Sequence, residues 1–288
     1  MTIIRGIAEM HRTAESLRLQ GKRIGLVPTM GFLHEGHASL IRSMRNEADV
    51  AVVSIFVNPA QFAPTEDFSR YPRDFQRDEK IAADSGTDFI FYPDASEMYP
   101  AGFKTYVSNE AVAAVLEGKF RPTHFRGVTT VVAKLFNIVK PHTAIFGQKD
   151  VQQAFILRRM VADLNFDTRI IVAPIVREAD GLAMSSRNVY LTPEERTNAS
   201  SMYRSLKLAE GLIRGGERSS QKIREQMETL ILSAEPTQID YIAFLNPDTF
   251  EEIATVHSKT LIALVVRFGS TRLLDNAIIE INSLDEVE

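Results

Sequence analysis

The sequence predicts an α/β fold: a parallel sheet covered by helices on both faces, followed by a smaller α+β domain. Three observations carry this. Short apolar runs rich in β-branched residues recur at 24–27, 49–57, 88–92, 143–146 and 169–173. Helix-periodic segments fall between such runs, as the crossovers of a parallel sheet require. Beyond about residue 175 the alternation stops, and helices precede two strand-like runs at 240–245 and 261–268. The expected domains are therefore 1–175 and 176–288.

Taken in order, the pattern predicts an amphipathic helix over 8–19, ended by Gly21, and then the strand 24–27. A helix over about 38–48 places Leu40, Ile41, Met44 and Ala48 on one face. The run 49–57 is a doubly covered strand, and Pro59 ends its ladder. A polar loop spans 64–73, a helix about 73–85, a strand 88–92 and a loop 93–102. The basic, aromatic stretch Lys119-Phe120-Arg121-Pro122-Thr123-His124-Phe125-Arg126-Gly127 reads as a loop: a phosphate contact, a subunit contact or a solvated surface. Helices over 128–139 and 151–164 flank the strand 143–146. Thr192-Pro193-Glu194-Glu195 is a capping box with proline at the first helical position, opening a helix to about 214. Another helix follows over about 219–233.

Composition excludes several classes. With 288 residues, 44% hydrophobic and 24% charged, the chain can form a packed core. A net charge of −4 argues against a general nucleic-acid binder. There is no cysteine, so disulfides, thiolate chemistry and cysteine-ligated metals are excluded. No basic segment leads into an apolar stretch at the N-terminus, and no run approaches the roughly 18 apolar residues of a membrane span. A soluble, cytoplasmic protein is the expectation.

The stretch with most chemistry is Val27-Pro28-Thr29-Met30-Gly31-Phe32-Leu33-His34-Glu35-Gly36-His37. Strand, glycine-bearing turn and helix is the arrangement in which helix N–H groups face an anion. Two imidazoles there suit a polyphosphate whose charge grows in the transition state. The same spacing also fits half a metal site or two surface histidines. It is neither His-Glu-x-x-His nor a P-loop. Asn58 and Gln61 lie in the loop after the second core strand, where amides can read a carboxylate or hydroxyl, or simply form a turn. Gly147-Gln148-Lys149-Asp150 repeats the strand-turn-helix theme, with Lys149 a mobile charge for phosphate, Asp150 a candidate helix cap and Gln153 in the first turn. Ser185-Ser186-Arg187 offers two hydroxyls and a guanidinium to a triphosphate, or is an ordinary loop.

Taken together, His34-Glu35-Gly36-His37, Asn58-Pro59-Ala60-Gln61-Phe62, Phe146-Gly147-Gln148-Lys149-Asp150 with Gln152-Gln153, Pro174-Ile175-Val176-Arg177 and Met184-Ser185-Ser186-Arg187-Asn188 resemble the pantoate–β-alanine ligases of the HxGH nucleotidyltransferase superfamily. The resemblance spans essentially the whole chain. It implies a Rossmann-like N-terminal domain, a C-terminal lid domain and a homodimer. It implies condensation of (R)-pantoate with β-alanine through a pantoyl-adenylate, with ATP as substrate carried by Mg²⁺, release of AMP and pyrophosphate, and no tightly bound organic cofactor or protein-held metal. Catalytic roles are implied for His37, His34 and Lys149. ATP contacts are implied for Met30, Gly31, Phe32, Leu33, His34, Glu35, Gly36, His37, Gly147, Gln148, Lys149, Asp150, Val176, Met184, Ser185, Ser186 and Arg187. Gln61, Gln153 and Asn58 are implied to meet pantoate or β-alanine. Val151 departs from the aromatic residue often found there in the family. Partners are these small molecules, with neither nucleic acid nor membrane. Three rivals compete: an adenylyltransferase acting on a phosphate, an aminoacyl-tRNA synthetase-like protein and a non-catalytic nucleotide sensor. The first gives the Asn58–Gln61 loop no purpose, and the second needs a tRNA-binding surface.

Overall fold

Strands β1 (Thr2–Ile4), β2 (Ile24–Thr29), β3 (Val50–Ile55), β4 (Phe89–Phe91), β5 (Thr143–Gly147) and β6 (Arg169–Ala173) pair in parallel in the order β1-β4-β3-β2-β5-β6. This computed structural model describes residues 1–64 and 66–281. From β2 the chain builds outward through β3 and β4 on one side, then returns to add β5 and β6 on the other. The order therefore reverses between β2 and β5, and the carboxyl ends of that pair are where an open α/β sheet holds ligands. β2 pairs with β3 along all six of its residues but with β5 only at Gly25–Thr143 and Leu26–Ala144. The carboxyl halves of β2 and β5 are not bridged to each other.

Helices α1 (Ile7–Leu19), α2 (Glu35–Met44), α3 (Phe75–Asp84), α4 (Ala95–Met98), α5 (Glu117–Phe120), α6 (His124–Val139) and α7 (Val151–Asp163) cover the sheet. Side chains alternate across a strand, so one strand feeds two cores. Leu26 and Val52 enter a cluster with Met10 of α1, Phe136 of α6 and Leu157 of α7. Their neighbours Val27 and Val53 enter a second cluster with Ile41 of α2 and Ala82 of α3. Each fully buried aliphatic side chain stabilises the fold by roughly 1.5–3 kcal/mol relative to exposure.

The chain divides into two units between Pro174 and Ile175. The second contains α8 (Pro193–Asn198), α9 (Ser201–Arg214), α10 (Ser220–Leu232) and an antiparallel sheet of β7 (Gln238–Leu245), β8 (Lys259–Phe268) and β9 (Thr271–Glu280). Met202 and Leu206 of α9, Met227 of α10, and Phe244, Leu264 and Val266 of the sheet share one core. Buried Asp240 is paired with Arg267 and Arg272. No described helix is long and apolar enough to cross a membrane.

Several boundaries differ from expectation. The capping box at Thr192 forms, with Thr192 and Glu195 bonding reciprocally, but the helix over 193–214 is two helices broken near Ala199. The loop over 93–102 contains the single turn α4. The segment 119–127 is largely helical, divided between α5 and α6. β1 and β9 went unread.

Candidate active site

The turn after β2 is fixed from beneath. Gly31 has φ +82° and Phe32 +51°, so the chain turns sharply through the left-handed region. The Asp78 carboxylate of α3, 2% exposed, accepts from the backbone N–H of Phe32 (2.8 Å) and Leu33 (2.6 Å). Burial raises the Asp78 pKa, and those two N–H groups act against the rise. Thr29 Oγ1 donates to Ser54 C=O at 2.8 Å and accepts from Gly31 N–H at 3.2 Å.

The turn delivers two histidines to the start of α2. That helix begins at Glu35 rather than near residue 38, because His34 caps it. His34 Nδ1 accepts from Gly36 N–H at 3.1 Å, and His37 Nδ1 accepts from His34 N–H at 3.3 Å. An imidazole nitrogen that accepts from an amide carries no proton, so in each neutral ring the proton sits on Nε2. The rings are 4.1 Å apart and tilted by 43°. Burial, then the nearby charges of His34 and Lys149, push the His37 pKa well below 6.5. His37 is therefore neutral at pH 7 and acts as an Nε2–H donor, not a cation.

Across the sheet edge, the turn Pro59–Gln61 follows β3. Asn58, 1% exposed, uses its amide fully. Its Oδ1 accepts from Ala60 N–H (3.2 Å) and Tyr99 Oη–H (2.8 Å), and its Nδ2 donates to Gly127 C=O and Gln61 Oε1 (both 3.1 Å). The two backbone partners leave only one orientation for this amide. Gln61 is oriented in turn: Oε1 faces Asn58 and Nε2 faces Met30 Sδ at 3.1 Å. Gln61 thus presents a donor beside the histidine turn. Asn58, expected among the substrate ligands, is engaged with the protein on all four sides.

β5 ends at Gly147, and the turn Gln148–Asp150 leads into α7. Half-buried Lys149 lies close enough to His37 to act on its ionisation. Asp150 stands in the capping position of α7 but makes no capping hydrogen bond. Gln152 is buried and structural, accepting from Glu117 N–H and donating to Val112 and Val115 carbonyls. Gln153, half-buried, lies in the first turn of α7.

The remaining expected residues belong to the second unit and are local neighbours there. Met184 N–H donates to Val176 C=O at 3.0 Å, beside a bridge between Arg177 and Ala183. Ser185 Oγ accepts from Arg187 N–H at 3.2 Å and caps the short turn Ser186–Tyr190. Asn188 ties this turn to Glu178 and to Ala183 C=O. Thus in the first unit His34, His37 and Lys149 come together and Met30 meets Gln61, and in the second Val176 meets Met184, and Ser185 meets Arg187.

Sequence reasoning missed Asp78 and Tyr99 and placed Arg121 and His124 only in a basic, aromatic loop; all four hold the binding turns from 41–63 residues away along the chain. No local pattern marks Asp78 or Tyr99, and none ties Arg121 and His124 to Gln61.

Fold and site define a class: a doubly wound α/β protein with two histidines and a lysine at the sheet's switch point and an oriented amide on the neighbouring turn. The Pantoate-beta-alanine ligase family pattern matches residues 2–278. The chain is 54% identical over 281 residues to the pantothenate synthetase of Caldicellulosiruptor saccharolyticus, covering 98% of this chain and 100% of that one. It is 55% identical to that of Geobacter sulfurreducens, covering 97% and 99%. The crystal structure of pantothenate synthetase from Thermus thermophilus superposes with a TM-score of 0.91 at 41% identity, covering 96% of this chain and 99% of that one. A pantoate–β-alanine ligase from Francisella tularensis, complexed with beta-gamma ATP and beta-alanine, superposes with a TM-score of 0.80 at 34% identity, covering 100% and 99%. The chain belongs to the pantoate–β-alanine ligase family.

Proposed function

We propose that the chain condenses (R)-pantoate with β-alanine, consuming ATP and releasing AMP and pyrophosphate through a pantoyl-adenylate. The reading rests on one observation above others: two Nε2–H imidazoles and Lys149 gather where β2 and β5 end. A carboxylate is a poor electrophile, so it must first acquire a leaving group. The pantoate carboxylate oxygen attacks the α-phosphorus, and the bond to the pyrophosphate oxygen breaks. The β-alanine amine then attacks the acyl carbon, AMP departs with the carboxylate oxygen, and the amine loses its proton.

Two anions meet in the first step. His37 as a neutral ring, with His34, donates to phosphate oxygens and Lys149 adds a cationic side chain, stabilising the transition state without a protein nucleophile. The resemblance assigns ATP contacts to Met30 to His37, Gly147 to Asp150, Val176 and Met184 to Arg187. Gln61 and Gln153 hold pantoate, and Asn58 orients Gln61. Both ring Nδ1 atoms are committed to amides, and the donor set suits phosphate oxygens rather than a cation. Mg²⁺ accordingly belongs with the ATP phosphates, where it neutralises charge as part of the substrate. The resemblance gives the unit 176–288 the role of a lid, which a water-labile adenylate calls for. The homodimer implied by the resemblance and cytoplasmic residence belong to the same proposal.

ATP–pyrophosphate exchange tests it. Exchange supported by pantoate without β-alanine is expected. Exchange that requires β-alanine would rule out a free-standing adenylate step.

A further inference from the structure

The basic, aromatic segment 119–127, which runs from α5 into the start of α6, has no role in the chemistry above, yet it converges on Gln61. Arg121 pairs with Glu66 through Nε and, at 3.1 Å, through Nη2. Glu66 in turn accepts from Ala63 N–H at 2.9 Å. Arg121 Nη1 lies 3.2 Å from His124 Nε2, and His124 Nδ1 lies 3.0 Å from Gln61 C=O. A guanidinium only donates and a carbonyl only accepts. The ring must therefore be neutral, with Nε2 accepting from Arg121 and Nδ1–H donating to Gln61. Burial and the Arg121 charge push the His124 pKa down to about 4, which agrees.

The contact is close because α6 has no side chain at Gly127. A Cβ there would lie 2.3 Å from Ala60 O and 2.5 Å from Gln61 Cα. Gln61 is thus held twice: its amide by Asn58 and its backbone carbonyl by His124.

We propose that Glu66, Arg121 and His124 form a positioning brace that sets the backbone of Gln61 and so tunes recognition of the organic acid, not of ATP. These residues touch no substrate and act through Gln61. The inference rests on the reading of Gln61 as a pantoate ligand.

Steady-state kinetics of the full-length enzyme test it. His124→Ala should raise KM for pantoate roughly five- to tenfold, the loss expected of one misplaced hydrogen bond, with KM for ATP little changed. His124→Asn, whose Nδ2 can stand where Nδ1 stood, should recover most of that loss. Arg121→Ala should act in the same direction as His124→Ala. In a Gln61→Ala background, His124→Ala should add nothing to KM. A His124→Ala enzyme with lowered Tm and unchanged pantoate KM would overturn the brace, as would equal effects on both KM values. An unchanged pantoate KM in Gln61→Ala alone would instead overturn the underlying reading of Gln61.

Discussion

The ring of His37 stands 4.1 Å from that of His34, and the backbone N–H of His34 points into its Nδ1. Two imidazoles so close could not both be charged without mutual repulsion. The arrangement resolves this by keeping His37 neutral at pH 7. The donor that matters on each ring is then Nε2–H.

That assignment separates substitutions that size alone would group together. His37→Gln keeps an N–H near the Nε2 position, whereas His37→Asn keeps only an acceptor near Nδ1. His37→Ala should lower kcat by about 10²–10³ while the far-UV circular dichroism stays native. Pyrophosphate release should rank His37→Gln above His37→Asn. Near-normal turnover in His37→Ala would count against the site.

Protonation of His124 sets a pH dependence of stability. Its folded pKa is depressed to about 4 from 6.5. Below pH 6.5 the unfolded chain takes a proton that the folded chain refuses. The contribution is complete above pH 6.5 and is lost as pH falls toward 4, a span worth roughly 3 kcal/mol. Urea unfolding of the parent and of His124→Asn at pH 7, 5.5 and 4.5 measures it. The gap between them should narrow as pH falls, and a constant gap would contradict the assignment.

Asp78 carries the turn that carries the histidines. Asp78→Ala leaves the Phe32 and Leu33 N–H groups without their carboxylate. About 2–4 kcal/mol of stability should be lost, with a raised KM for ATP, because two buried donors go unsatisfied. Asp78→Asn retains one acceptor oxygen and should fall between. Thermal melts with and without ATP read both effects.

The main sheet was legible because its central strands are covered on both faces. Ile24, Leu26, Val27 and the apolar run from Val50 to Ile55 declare themselves without tertiary information. Two of the edge strands, β1 and β9, were not. Thr2–Ile4 is too short to show a period, and Thr271–Glu280 hides its alternation behind buried Asp275 and Asn276. Paired Arg177 makes the buried Asp275 tolerable, from about a hundred residues away in sequence. The site divides in the same way. Groups aimed at ligand cluster in short motifs because a single turn presents them. Groups that aim those turns, such as Asp78, Tyr99 and His124, arrive from other elements and resemble ordinary polar residues in sequence. His34 shows a local limit: imidazole capping moved the start of α2 forward to Glu35, where propensity alone favoured a later start.

The most direct test follows the carboxylate oxygen. With pantoate labelled by ¹⁸O in its carboxylate, the AMP released during turnover with ATP and β-alanine should carry one labelled oxygen, because that oxygen bonds to the α-phosphorus and leaves with it. Unlabelled AMP, with both ¹⁸O atoms absent from the phosphate, would contradict the attack at phosphorus on which the roles of His34, His37 and Lys149 depend.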